Sequence, residues 1–475
     1  MIKLKFKGSS IAILSVIFIG ALIGSSFGAA MFVQGGTTSL PTTSSGPIVM
    51  EASYIIFKDA SGYTCAKNGT TSAIDFRATS SKLVIQKAID ASSNGNIWIK
   101  SGTYDITSAI YTLSTSIIGD GNGTILKASK DLKSAVILVT NNYIRADGKS
   151  AVPSALQSTI RPSGVSINNL QIDGNRAART SGVIEGIGMI NALNCQISRV
   201  YAHDILAGQG FYMSNSHYCS IRDSWIYNIG DTTLANYGSG IAFGEASVTK
   251  TACSNILIDN VKISKASMSS IDLEPANNIT ITNCQFLDAS YWNGLATPVI
   301  TLYEIPGYKP NDNIIVSNNK AYGAFGEFII LTPSNYSIVS NNIITYTAGT
   351  APAIYASDSH DNKITGNIIK TVSKDGFVGV NCNSFLISDN TIIDTTTSKS
   401  DYGIRFYSTG TGTCYNNVIK GNQVTGFQYA IQAITTGCNH IIVTSNVIKS
   451  CNVGIWLKGT DVVRTGNILN GSGEW

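Results

Sequence analysis

A short phrase recurs along this chain: apolar, any, apolar, any, any, Asn, any, apolar. It stands in Lys363-Ile364-Thr365-Gly366-Asn367-Ile368-Ile369 and again in Ile387-Ser388-Asp389-Asn390-Thr391-Ile392. Ile419-Lys420-Gly421-Asn422-Gln423-Val424 and Val443-Thr444-Ser445-Asn446-Val447-Ile448 are further copies. Registered on that Asn, the series runs Leu170, Val200, Ser224, Val261, Cys284, Asn319, Asn342, Asn367, Asn390, Asn422, Asn446 and Asn467. Its steps are 30, 24, 37, 23, 35, 23, 25, 23, 32, 24 and 21 residues, a floor of 21–25 with longer steps that read as loop insertions. Alternation of period two within each copy makes the flanking segments short strands. Short strands bent at Asn or Gly on such a period predict a parallel β-solenoid, each coil stacked on the last at ~4.8 Å. Eleven steps correspond to a rise of roughly 53 Å. Asn suits the bend because it tolerates left-handed backbone angles, and stacked amides can bond from coil to coil.

Composition agrees with ladders rather than helices. Charged residues are 13% of the 475 and hydrophobic residues 43%, against about 25% charged in ordinary domains. Coiled coils, helical repeats and basic nucleic-acid binders need more charge than this, and disordered chains need less apolar content. Lys3, Lys5 and Lys7 account for three of the four net positive charges, so the charge balance names no anionic partner. Those lysines precede Ile11–Val33, a run of 23 uncharged residues. Residues 1–33 therefore read as a signal peptide or an N-terminal membrane anchor, with Gly28-Ala29-Ala30 as a small-residue cleavage site. Either way the chain is expected outside the cell or on its surface, tethered through residues 11–33 if the leader stays. Residues 34–50 read as a Ser/Thr/Pro linker, residues 51–160 as an N-terminal cap with the first coils, and residues 161–475 as the coils proper. The chain stops just after a coil, which leaves an open end as either a truncation or an assembly surface.

The nine cysteines carry no C-x-x-C. Cys253, Cys382, Cys414 and Cys438 fall eight positions before a registered residue, Cys195 and Cys219 five before. Equivalent positions stack, so Cys414 and Cys438 should touch, as stacked interior thiols, with a disulfide between such pairs as the alternative.

Upstream, Ser81–Ala91 (SKLVIQKAIDA) has helical spacing at Leu83, Ile85, Ala88 and Ile89, and predicts the short helix that covers a solenoid's first open core. IWIKSGTYDI and IIGDGNGTILKAS follow as strands and turn. With IQKAIDA, these segments resemble the opening of the pectate-lyase-like, right-handed parallel β-helix superfamily, and the Asn-marked coils resemble its generic repeats. The resemblance spans roughly residues 54–470. It implies an all-β fold, a right-handed single-stranded parallel β-helix with a short N-terminal capping helix. For activity it implies only a range: lyases, glycoside hydrolases, epimerases, tailspikes and adhesins.

It also implies polysaccharide on the outside of one sheet. A second strand per coil supplies that face, for example Gly210–Met213, Ser270–Glu274, Val299–Glu304, Gly403–Tyr407 and Gly454–Lys458. Tyr212, Asp272, Glu274, Thr301, Tyr303, Tyr355, Arg405, Tyr407, Trp456 and Lys458 should point outward. Asp272 and Glu274 share a face with Cα atoms about 6.6 Å apart. They could act as acid and base or hold calcium, with Glu304 and Tyr303 one coil further on. A solvated acidic edge is the plainer reading of the same residues. Tyr212, Tyr303, Tyr355, Tyr407 and Trp456 suit stacking on sugar rings, and Arg405 a charged contact. Arg405 would suit the arginine base of a pectate lyase, but it sits five coils from Asp272, roughly 24 Å away. Lys262 and Lys265 are the nearer cations. The aspartate trio and Arg-x-Lys signature of polygalacturonases are absent, which lowers the hydrolase reading. His203-Asp204 could be an acid–base pair, but adjacent residues of a strand face opposite sides, so it reads as turn structure. Two functions stand: a secreted polysaccharide lyase or glycosidase, or a non-catalytic glycan-binding, adhesin or envelope protein.

Overall fold

The computed structural model describes residues 51–475 except 144, 146–147, 158, 180–183, 231–237, 245–251, 288–290, 293–294, 303–310, 325, 347–350, 372–373, 397–398, 400, 471–472 and 475. The expected leader and linker, residues 1–50, lie outside the described residues. Among the described residues no helix is long and apolar enough to cross a membrane.

Every coil contributes to two sheets. The first has 29 strands and takes two per coil, such as Ser220–Arg222 and Trp225–Ile229. The second has 14 strands, one per coil, in unbroken chain order from Ile110–Thr112 to Gly473–Glu474. Pairing between coils is parallel and in register with the sequence repeat: Leu170 opposes Val200, and Ile369 opposes Ile392. This is the right-handed parallel β-helix that the repeat and the resemblance anticipated.

The bend itself differs from expectation. The left-handed residue is the one before each registered position: Asn169, Arg199, Asp223, Asn260, Asn283, Asn318, Asn341, Gly366, Asp389, Gly421, Ser445 and Gly466, with φ of 49–67°. The registered Asn is turned inward and buried from Asn319 to Asn446. From Asn319 to Asn446, each Nδ2 donates to the Oδ1 of the Asn one coil on, at 2.9–3.0 Å. That same Oδ1 accepts the backbone N–H of the donor residue. The second Nδ2 proton goes to a strand carbonyl, such as Val316 or Ile364. Asn is selected here because its amide can satisfy three buried partners at once.

Inside, identical positions stack as apolar columns. Phe211, Ile241, Ile271, Ile300, Ile329, Ile354, Phe377, Ile404, Ile431 and Ile455 form one such column, all fully buried. Each removes apolar surface worth about 1.5–3 kcal/mol. All nine cysteines are free and buried. Cys414 opposes Cys438 in register, and Cys195 N–H points to Cys219 Sγ at 3.4 Å, as stacked interior thiols.

The helix α1 spans Ser81–Ala91, with the Ser80 hydroxyl accepting from Leu83 N–H at 3.3 Å. It buries Val84, Ile85, Ala88 and Ile89, while Leu83 faces outward, against the expected spacing. Three antiparallel strands, Tyr54–Lys58, Thr64–Asn68 and Ile74–Ala78, accompany it, and no sequence signal had marked them.

Candidate functional site

One outward column of the second sheet gathers most of the expected residues. It runs Tyr212, Ala242, Asp272, Thr301, Ile330, Tyr355, Val378, Arg405, Gln432, Trp456. Tyr407 lies beside it, opposite Val380. Tyr303 and Glu304 lie outside the described residues. Lys262 and Lys265 are not near Asp272. They sit on the first sheet, over the rings of Trp225 and Tyr227 at 4.7 and 5.4 Å. They lie within a first-sheet strand, Lys262–Ala266, and chain proximity to Asp272 does not carry over to a shared face.

Asp272 occupies the centre of the strand Ile271–Leu273 and is half-buried. Its Oδ1 is buried and has no hydrogen-bond partner. Burial, with the Glu274 charge added, pushes its carboxyl up to about 7. Near neutrality Asp272 thus exchanges a proton readily, while Glu274 stands two residues away as a second carboxyl.

Two glycines make room around this pair. A Cβ at Gly244 would collide with the Tyr212 hydroxyl, so the Tyr212 ring lies over Gly244, one coil before Glu274. Burial raises the Tyr212 phenol, as do the charges of Glu185 and Glu274. A Cβ at Gly188 would meet Glu185 Oε2 at 2.9 Å. Glu185 is half-buried, and burial pushes its carboxyl up to about 7.

Glu185 was not among the expected residues, because it precedes the strand Ile187–Ile190 rather than alternating within it. A signal exists: an acid two residues before the strand, with Gly188 in the outward position. Glu327 before Ile329 and Asp375 before Phe377 repeat the acid, with Ile330 and Val378 in place of the glycine. Burial raises both acids, Asp375 to about 6.

Arg405 lies five rungs from Asp272, and rungs of ~4.8 Å keep the two in separate sites. Its guanidinium rests on the rings of Tyr402 and Tyr407, at 4.4 and 4.7 Å. Tyr402, Tyr429 and Trp456 form a continuous stack beside it, with centroids 5.2 and 5.1 Å apart.

On the first sheet, His203 and Asp204 do meet, Nδ1 to Oδ2 at 2.9 Å. The strand bends at Asp204, with φ of 53°, which defeats simple alternation. One ligating atom each from Asp173, His203 and Asp204 lies within 4.8 Å of the others, at a cavity of about 560 Å³. These groups are already paired: Asp173 with Lys127 at 3.7 Å, Asp204 with Asn228 at 2.6 Å. That pairing supports the structural reading of this turn.

Residues 245–398 and 307–468 match the family described as right handed beta helix region. Residues 75–290 match the family described as rhamnogalacturonase A/epimerase, pectate lyase-like. No curated protein matches the chain by sequence. Among solved structures, the A-module of the Azotobacter vinelandii mannuronan C-5 epimerase AlgE4 is similar over 81% of this chain and 96% of its own, at 15% identity and a TM-score of 0.50. A tailspike protein mutant of E. coli bacteriophage HK620, in complex with a pentasaccharide, is similar over 80% of this chain and 76% of its own, at 14% identity and a TM-score of 0.53. At such identities the likeness is one of fold.

Proposed function

Because the chain belongs to the pectate-lyase-like, right-handed parallel β-helix superfamily, we propose that it is an extracellular carbohydrate-active protein that cleaves a polysaccharide at Asp272. The observation that carries this reading is a half-buried carboxyl on the outer face whose Oδ1 has no protein partner, two residues from a second carboxyl. Asp272 holds a proton near neutral pH and delivers it to the glycosidic oxygen. Glu274 serves as base or nucleophile. Tyr212, whose ring lies over Gly244, orients the sugar, and Glu185 supplies a second protonated carboxyl on the same face. Tyr355, Tyr407, Trp456 and Arg405 extend the binding face along the column. Two carboxyls on one face are also a ligand pair for calcium, so the reaction is to be run with and without it. The leader at residues 11–33 fits export with or without a retained membrane tether.

The test is incubation with neutral and uronate polysaccharides, following reducing ends and the absorbance of unsaturated uronates. Reducing ends alone indicate hydrolysis, and both signals together indicate a lyase. Loss of either in Asp272→Asn supports the site. Binding without turnover, unchanged by Asp272→Asn, would establish the rival reading of a non-catalytic surface glycan binder.

A further inference from the structure

A cavity of about 300 Å³ opens where α1 ends, beside the turn that follows Ile110–Thr112, the first strand of the second sheet. Asp90, Ser92, Thr115, Tyr143 and Arg145 are among its walls. Its size is at the lower end of ordinary ligand pockets, ~300–1,000 Å³. Two of its polar groups have no protein partner. Ser92 is 5% exposed, and its Oγ makes no hydrogen bond. The Ser92 backbone is engaged: its N–H donates to Ala88 O at 3.0 Å, and its O accepts from Thr115 Oγ1 at 2.8 Å. Only the hydroxyl is unanswered. Arg145 donates from Nη2 to Asp90 O and so fastens its own segment to the end of α1. Its Nε is buried without an acceptor. The Tyr143 ring is stacked on Tyr111, with centroids 5.1 Å apart.

A buried hydroxyl and a buried guanidinium N–H without partners are costly, and native structures keep such groups where water or a ligand supplies the bonds. The surrounding charges select the ligand. Arg145 opposes a cation. The Asp90 carboxylate and the carbonyls at the C-terminal end of α1 oppose an anion. With Nη2 committed to Asp90 O, Nε–H is left as a single donor. That suits a hydroxyl rather than the two-pronged grip on a carboxylate. Ser92 Oγ both donates and accepts. A neutral ring bearing several hydroxyls answers all three groups: it accepts from Arg145, donates to Asp90 and does either with Ser92.

We propose that this cavity is a second carbohydrate site, which takes one neutral sugar residue at the end of α1. It is separate from the site at Asp272. Tyr111 and Asp272 stand five rungs apart on one outward column, which places ~24 Å of sheet between them. The inference goes beyond the reading of the second sheet's outer face and does not rest on the chemistry assigned to Asp272.

The experiment is a calorimetric titration of the protein with galactose, mannose, glucose and N-acetylglucosamine, and with galacturonate as the charged counterpart. At least one neutral sugar is expected to bind with a Kd of about 1 mM or less, at least about ten-fold more tightly than galacturonate. Asp272→Asn should leave that affinity unchanged. Ser92→Ala removes only the unanswered hydroxyl. It should weaken binding about five-fold or more while Tm stays at or above that of the wild type. Arg145→Lys, which keeps the charge and loses Nε–H, should weaken binding likewise and serves as the reporter if Ser92→Ala misfolds. No binding of any of the neutral sugars, tighter binding of galacturonate, or undiminished affinity in folded Ser92→Ala would overturn the site. Binding lost in Asp272→Asn would place the sugar on the second sheet and overturn it as well.

Discussion

At the scale of single residues, Asp272 shows how burial shifts the titration of an ordinary carboxyl. An unfolded chain titrates this group near 3.9, whereas in the fold it titrates at about 7. The folded protein therefore holds the proton more tightly. The stability this contributes is complete below about pH 4 and is lost as pH rises towards about 7. Asp272→Asn should accordingly raise Tm at about pH 8, by the equivalent of roughly 2–4 kcal/mol, and leave it unchanged at about pH 4. Glu185 is raised in the same direction, so Glu185→Gln should behave alike. If the two variants track the wild type at both pH values, neither carboxyl is desolvated as described. Turnover should respond in the opposite sense, falling by about 100-fold or more in Asp272→Asn while the protein becomes more stable. The wild-type rate should decline above about pH 7 as the acid ionises. Alternation along a strand made Asp272 legible in the sequence. Glu185 was not, because a residue before a strand has no fixed side until the preceding loop is placed.

At the scale of elements, the coil is defined by a division of labour between two adjacent residues. One adopts the left-handed backbone, and the next turns an amide inward. The sequence pattern revealed the position but merged the two roles. The letter that recurs from Asn319 onward is the amide, while Arg199, Asp223, Asp389 and Ser445 show that the bend itself accepts several residue types. Asn390→Ala should therefore be severe. It strips partners from the Asn367 amide and backbone N–H, from Ile364 O and from Asn422. A loss of about 3 kcal/mol or more is expected, read from the urea midpoint. Ser445→Gly, at φ of 56°, should instead be neutral or stabilising, by no more than about 1 kcal/mol. The antiparallel strands before α1 escaped notice because they are short and half-exposed, and Ile74–Ala78 carries no fully buried residue to mark a face.

At the scale of the whole solenoid, stability is a sum over neighbouring coils plus the protection of the first one. Ile85 is fully buried where α1 packs on the first strands. Ile85→Asp should destabilise the fold by about 3 kcal/mol or more, read from the urea midpoint, and promote self-association through the uncovered coil, visible by light scattering. The stacked thiols give a second check. In the folded protein a polar thiol reagent should find none of the nine cysteines, and in denaturant all nine. Fast labelling of Cys414 or Cys438 under native conditions would contradict their burial. The fold was readable at this scale because one coil is written many times over; the second sheet's outer face was readable only in part, because its residues differ from coil to coil. The same repetition has a cost in fidelity. Asn342, Asn367, Asn390 and Asn422 are interchangeable partners, so a chain that skipped a coil and extruded it as a loop would remake nearly every amide bond of the column. The column therefore sets spacing but cannot count. Counting falls to the irregular residues, such as Phe377, Phe385 and Phe406, whose rings meet at 5.3–6.2 Å only when their coils follow in order. Those aromatic clusters act as index marks on an otherwise uniform scale, because a skipped coil would part rings that the native order brings together.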